Sequence, residues 1–150
     1  MNNYLKFAIM MATSFVIMYA VMFTNADQLD HIMLSTTRTY MTILMIAPMV
    51  ITMMLFMWGM YKNKTLNYLI LALALVVGSS TYYMLRQQVL VDDVAYMKAM
   101  IPHHSSAIMV SEKAHFSDPE TQQLAKDIIE AQKREIAQMK NIIQRLEQAN

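Results

Sequence analysis

The chain has 150 residues, a net charge of +1 and no cysteine; 56% of its residues are hydrophobic and 15% are charged. Near-neutral charge with scattered Lys and Arg excludes a nucleic-acid-binding surface, which needs clustered cations to neutralise phosphates. The absence of cysteine excludes disulfides, thiolate zinc sites and cysteine nucleophiles. The 18 methionines are a different matter. A thioether is neutral and binds soft cations without losing a proton, which suits a metal binder in an oxidising space where thiols are lost.

Apolar residues crowd the chain up to about position 86 and charges follow it, which divides the sequence into a membrane part, 1–88, and a soluble part, 89–150. Three apolar runs, about 5–23, 41–61 and 66–85, each approach the roughly 20 residues that cross a hydrocarbon core. Lys6 precedes the first run, but no small-residue cleavage site follows it at Phe23-Thr24-Asn25-Ala26-Asp27, so it reads as a retained span. Lys6, Lys62 and Lys64 place the N-terminus and the second connection on the cytoplasmic side. The first connection carries Asp27, Asp30 and His31 against Arg38 and lies outside; Arg86 pulls mildly the other way. The expected setting is a bacterial inner membrane, with lipid as partner and the C-terminal part in the periplasm. Asp30 and His31 are either ligands beside the membrane surface or solvated loop groups. In the second run Met41, Met45, Met49, Met53 and Met57 recur every four residues. They form a ladder for a soft cation or, as methionine does elsewhere, adaptable packing between helices. Pro48 should kink that helix, and Gly78, Ser79, Ser80 and Thr81 permit close helix contact in the third.

Two amphipathic helices follow. The first begins near Val91 to Asp93, with Asp92 or Asp93 as its cap, runs to about Phe116 and should bend at Pro102. The second starts at Ser117-Asp118-Pro119-Glu120, a cap, a first-turn proline and a capping-box glutamate. It continues to about Leu146 with apolar residues at three- and four-residue steps. A short turn makes an antiparallel hairpin. Met97 should then lie near Met139, His104 near Gln132, and Met100 near Glu135 or Ile136. An isolated hairpin of this size is marginal. A second copy would complete a four-helix bundle; packing on the spans is the other solution.

The first of these helices carries the segment MKAMIPHHSSAIM, Met97 to Met109. Imidazole and thioether together form a ligand set for Cu(I) or Ag(I). With Met97 as zero on an ideal helix, Met100 falls at about −60°, His104 at about −20° and His103 at about −120°, while Met109 falls at about +120° and points elsewhere. Apolar packing accounts for Met97 and Met100 but gives no reason for two imidazoles. Exposed histidines, or histidines bonded to carbonyls near the proline, are the plainer alternative. Ring nitrogens must be neutral to bind, so affinity should fall below about pH 6. Glu112-x-x-His115 has the spacing of a di-iron ligand pair but occurs once, without the further carboxylates such sites need. No catalytic constellation is present: there is no His-Glu-x-x-His, no phosphate loop, and Ser105 and Ser106 adjoin the histidines in the wrong geometry for a nucleophile and base.

In the string MKAMIPHHSSAI, and in LAKDIIEAQKREIAQMK with its Ala131, Gln132, Glu135, Ile136 and Met139 pattern, the chain resembles the bacterial domain of unknown function 305 family. Asp30-His31, Arg38-x-Tyr40-Met41 and Phe56-Met57-x-Gly59-Met60-Tyr61 resemble its membrane-anchored branch. The resemblance implies an all-α, ferritin-like helical domain in the bacterial envelope, with some copper-binding periplasmic relatives linked to copper or silver tolerance. By position it implies Met97, Met100, His103, His104, Met109 and Met139 as ligands. Gln132 and Glu135, opposite them in the expected hairpin, and His31, from the loop beside the membrane surface, could join them. The function expected is to hold Cu(I) or Ag(I) for buffering, tolerance or transfer to a copper exporter or cuproenzyme. The alternative is a non-metal module that dimerises, or docks a membrane partner, through the hairpin.

Overall fold

A computed structural model describes residues 2–148, and within them every regular element is helical. Helices α1 (Asn3–Val21), α2 (Thr36–Phe56) and α3 (Lys64–Arg86) come first, followed by α4 (Asp93–Lys113) and α5 (Pro119–Gln148). Single 3₁₀ turns interrupt the connections at Leu29–His31 and Trp58–Met60. Contacts group the residues up to Met22 with Thr37–Leu90 in one compact unit, and Phe23–Thr36 with the residues from Val91 onward in a second. The connection between α1 and α2 therefore belongs to the second unit, although the sequence leaves it with the apolar half.

In the first unit, α1, α2 and α3 have 19, 21 and 23 residues and the length and apolar composition of membrane spans. At 1.5 Å per residue each is about 30 Å long, the thickness of a hydrocarbon core. Large apolar side chains such as Val16, Leu69, Leu73 and Val76 are more than half exposed, a surface compatible with contact to lipid. The helices differ at their ends from the apolar runs. α2 starts at Thr36, because Thr36, Thr37, Arg38 and Thr39 extend the helix with polar residues that hydropathy passes over. It stops at Phe56, and the last part of the run turns into the 3₁₀ segment around Gly59, a poor helix former. α3 is capped by Asn63, whose side chain accepts from the Leu66 N–H at 3.0 Å.

The core of this unit gathers Phe7, Met11, Met54 and Tyr61. Beside it a polar clasp joins α1 to α3: the Tyr4 hydroxyl donates to Oδ1 of the fully buried Asn67 at 2.9 Å, and Asn67 Nδ2 donates to the Tyr61 carbonyl at 3.1 Å. Each apolar-environment donor thus has an acceptor. The methionine ladder divides. Met49, Met53 and Met57 pack on this core, while Met41 and Met45 are exposed. Adaptable packing between helices accounts for the inner three. α2 remains helical through Pro48.

Gly78 on α3 faces α2 closely: a Cβ added there would stand 3.1 Å from the Ala47 Cβ, an atom fixed to its backbone. A larger residue must part the two helices. Gly78→Val is expected to destabilise the unit by about 1–3 kcal/mol, as overpacking does, with Gly78→Ala milder. Thermal or denaturant unfolding of the detergent-solubilised chain, followed by circular dichroism, checks the order.

Candidate metal centre

The second unit is an antiparallel pair, α4 against α5, with residues 23–36 laid on it. Asp92 caps α4 by accepting from the Ala95 N–H at 2.7 Å. Asp118 caps α5 and accepts from both the N–H and the hydroxyl of Thr121 at 2.7 Å. These bonds, the hydroxyl's first, hold the Asp118 carboxyl below its usual range. Thr121 thus takes the position where a capping box would carry an acid, so Glu120 is not the capping partner the sequence suggests. α4 stops at Lys113, short of the expected Phe116. Like α2 at Pro48, it runs through its internal proline as a continuous helix.

The seam between the two helices is apolar. Met97, Ile101 and Ile108 of α4 meet Ile136 and Ile143 of α5, and Met33 of the loop packs on the same cluster. Ion pairs border it, Lys98–Glu147 at 2.6 Å and Lys133–Glu112 at 2.8 Å. The Glu112 bond and charge raise the Lys133 ammonium above its ordinary value. Glu112 is thereby occupied, and His115 is exposed with Nδ1 at 3.2 Å from the Lys113 carbonyl. Among the described residues no three His, Asp or Glu side chains come together as a site for a hard cation.

A groove of about 600 Å³ runs along the seam, lined by Met97, Met100 and His104 from α4 and by Glu135 and Met139 from α5. Met97 and His104 are buried, Met100 and Met139 half-buried. His104 is held at both nitrogens. Nδ1 lies 2.9 Å from the Met100 carbonyl one turn back, and Nε2 lies 2.7 Å from Glu135 Oε2. A carbonyl accepts only, so Nδ1 carries a proton, and Nε2 is the nitrogen that points into the groove. That is the arrangement in which a backbone carbonyl fixes the tautomer and frees Nε2 for a metal. Glu135 Oε2 occupies the contact of that nitrogen, so a metal at Nε2 would have to take its place.

The other expected residues stand elsewhere. His103 is exposed, its ring 6.0 Å from that of His104, and it does not line the groove. Met109 and Gln132 are half-buried outside the groove; the Gln132 Oε1 is buried and has no hydrogen-bond partner. The sequence sets His104 opposite Gln132. The structure pairs it with Glu135, about one turn further along α5.

His31 belongs to a separate feature on another side of α4. The Ser105 hydroxyl, fully buried, accepts from the Asp27 N–H at 2.7 Å and sits 2.9 Å from His31 Nδ1. Asn25 Nδ2 donates to Ser106 Oγ at 2.7 Å, and Lys140 of α5 donates to Asp30 at 2.5 Å. Residues 23–36 are thus strapped to both helices. Sequence reading missed Ser105, Ser106 and Lys140 in this role; a hydroxyl that receives a loop leaves no periodic signal. It also missed Asp93, Tyr96, Gln138 and Arg145, which rim the groove.

Burial first, and the nearby Lys140 ammonium second, push the His31 imidazole below its ordinary value. Lys140 also holds the exposed Asp30 carboxyl below the usual range, chiefly through their hydrogen bond. Neutral His31 is favoured in the folded chain only. Its contribution to stability is therefore complete above the unfolded imidazole value of about 6.5 and is lost as pH falls through that value toward the lower folded one. Denaturant unfolding of the chain and of a His31→Gln variant between about pH 8 and pH 5 checks this. The wild-type chain should lose stability on acidification more steeply than the variant.

The chain belongs to the Domain of unknown function (DUF305) family, whose model matches residues 85–150, the stretch that holds α4 and α5. The likeness to one relative is longer. The chain is 34% identical over 146 residues to Uncharacterized protein L153 of Acanthamoeba polyphaga mimivirus, covering 95% of this chain and 93% of that one. No solved structure matches.

Proposed function

We propose that the protein is a membrane-anchored carrier of a soft monovalent cation, Cu(I) or Ag(I), held in the groove between α4 and α5. One observation carries the reading: Met97, Met100, Met139 and His104 line the same groove, and the His104 ring is oriented by the Met100 carbonyl. Three thioethers and one imidazole suit a soft ion and serve Mg²⁺ or Ca²⁺ poorly. His103, one step along the helix and exposed, is the ligand an arriving ion meets first. Glu135 is the group it displaces. Such bonds exchange readily, which fits buffering or hand-over to an exporter or cuproenzyme better than permanent storage.

The anchor is the set of three spans, with the N-terminus and Lys62/Lys64 on the cytoplasmic face and the α4–α5 hairpin on the other. The hairpin is half of a ferritin-like four-helix bundle. The relative reported above is viral, so the reading keeps a membrane and an orientation without assigning a bacterium.

Competition between the full chain in detergent and a Cu(I)-specific chelator tests the proposal. His104→Ala should weaken binding by more than roughly 10–100-fold, the loss that follows removal of a group that only orients a ligand. His103→Ala should cost less, and Zn²⁺ should not compete. Equal Cu(I) affinity in the wild-type chain and in a variant with Met97, Met100 and His104 all replaced would reject the metal reading. It would favour the hairpin as a docking module alone.

A further inference from the structure

α4 is apolar on more than one side, and its sides are covered unequally. Around about 20° on the helical wheel, Met97, Ile101, His104 and Ile108 face α5. From about 80° to 180°, Ser105 and Ser106 receive the loop, and Pro102 is buried there. The remaining side, from about −60° to −140°, holds Tyr96, Met100, His103, Ala107 and Val110. Tyr96 is 53% and Val110 52% exposed. Their spacing is four, three, four and three, an unbroken heptad seam that neither α5 nor the loop of residues 23–36 covers.

We infer that a second copy of this chain docks on that seam, α4 packing antiparallel against α4. In giving His103 a role the inference rests on the metal reading above; the docking itself does not. Charge decides both partner and direction. α4 carries Asp92 and Asp93 at its start and Lys113 at its end, all exposed. Parallel packing would set Asp93, itself at a seam position, against the Asp93 of the other copy. Antiparallel packing separates the two Asp93 residues, each then opposite Val110 at an open end of the seam, brings Asp92 within a turn of Lys113 of the second copy, and opposes the two helix dipoles. It also fits in size, since Tyr96 falls opposite Ala107 of the second copy and large meets small.

The same register sets Met100 opposite His103 of the second copy. Tyr96 and Met100 line both the groove and the seam, so docking roofs a groove that is open in one chain. Each His103 then faces a thioether that also borders the other copy's groove. This gives the second of the two adjacent histidines a use that one chain alone does not offer.

Because the chain has no cysteine, engineered thiols report the register cleanly. Full-length Tyr96→Cys and Ala107→Cys, carrying different tags, are mixed in detergent, oxidised with diamide and compared with each alone. A disulfide needs Cα atoms within roughly 7 Å. The mixture should give a cross-linked heterodimer. Each variant alone should give none, because like positions lie eleven residues out of register, about 16 Å along the axis. Sedimentation of the uncross-linked wild type should show a dimer that Val110→Arg converts to monomer. A wild-type monomer, or cross-linking of Tyr96→Cys with itself, overturns the inference. His104→Ala separates the two claims: it should weaken Cu(I) binding and still cross-link when built into both thiol variants.

Discussion

A helix with apolar residues on more than one side needs more than one cover, and α4 sets that requirement for the second unit. α5 meets part of it with Ile136 and Ile143. The loop from Phe23 to Thr36 meets another part through the buried His31 and Ser105. The groove of Met97, Met100, His104, Glu135 and Met139 lies at the margin of the first cover, where the seam is deep enough to bury an imidazole and open enough to admit an ion. Fold and site are thus two consequences of one constraint. The residues that close the hairpin also orient the side chains of the groove.

The spans and the hairpin were legible because each rests on a local and repetitive signal. About 20 apolar residues announce a span, and Asp118-Pro119 announces a helix start. What local pattern misses lies at the ends and in the loops. Thr36 to Thr39 belong to α2 because helical hydrogen bonding does not stop where hydropathy falls. The segment after Phe56 leaves the helix at Gly59 although hydropathy stays high. The loop's attachment to Ser105, Ser106 and Lys140 is a pairing over long sequence separation between short polar groups, which has no period to read.

Much of the candidate centre could be placed from helix geometry. The 100° step puts Met97, Met100 and His104 on one side of α4, and the hairpin brings Met139 and Glu135 to them. The partner of His104 could not be read so finely. The facing residue depends on how far α5 slides along α4, and one turn of slide exchanges Gln132 for Glu135. That exchange matters chemically, because a carboxyl group stands 2.7 Å from Nε2, the ring nitrogen that faces the groove.

The chain's family likeness and its nearly full-length likeness to a mimivirus protein fix kinship; the chemistry rests on the groove. X-ray absorption at the copper edge, on the full chain loaded with one equivalent of Cu(I), addresses it most directly. The account predicts mixed sulfur and nitrogen neighbours, with the sulfur contribution reduced when Met97, Met100 and Met139 are replaced by leucine. A shell of nitrogen and oxygen alone, unchanged by those replacements, would contradict it.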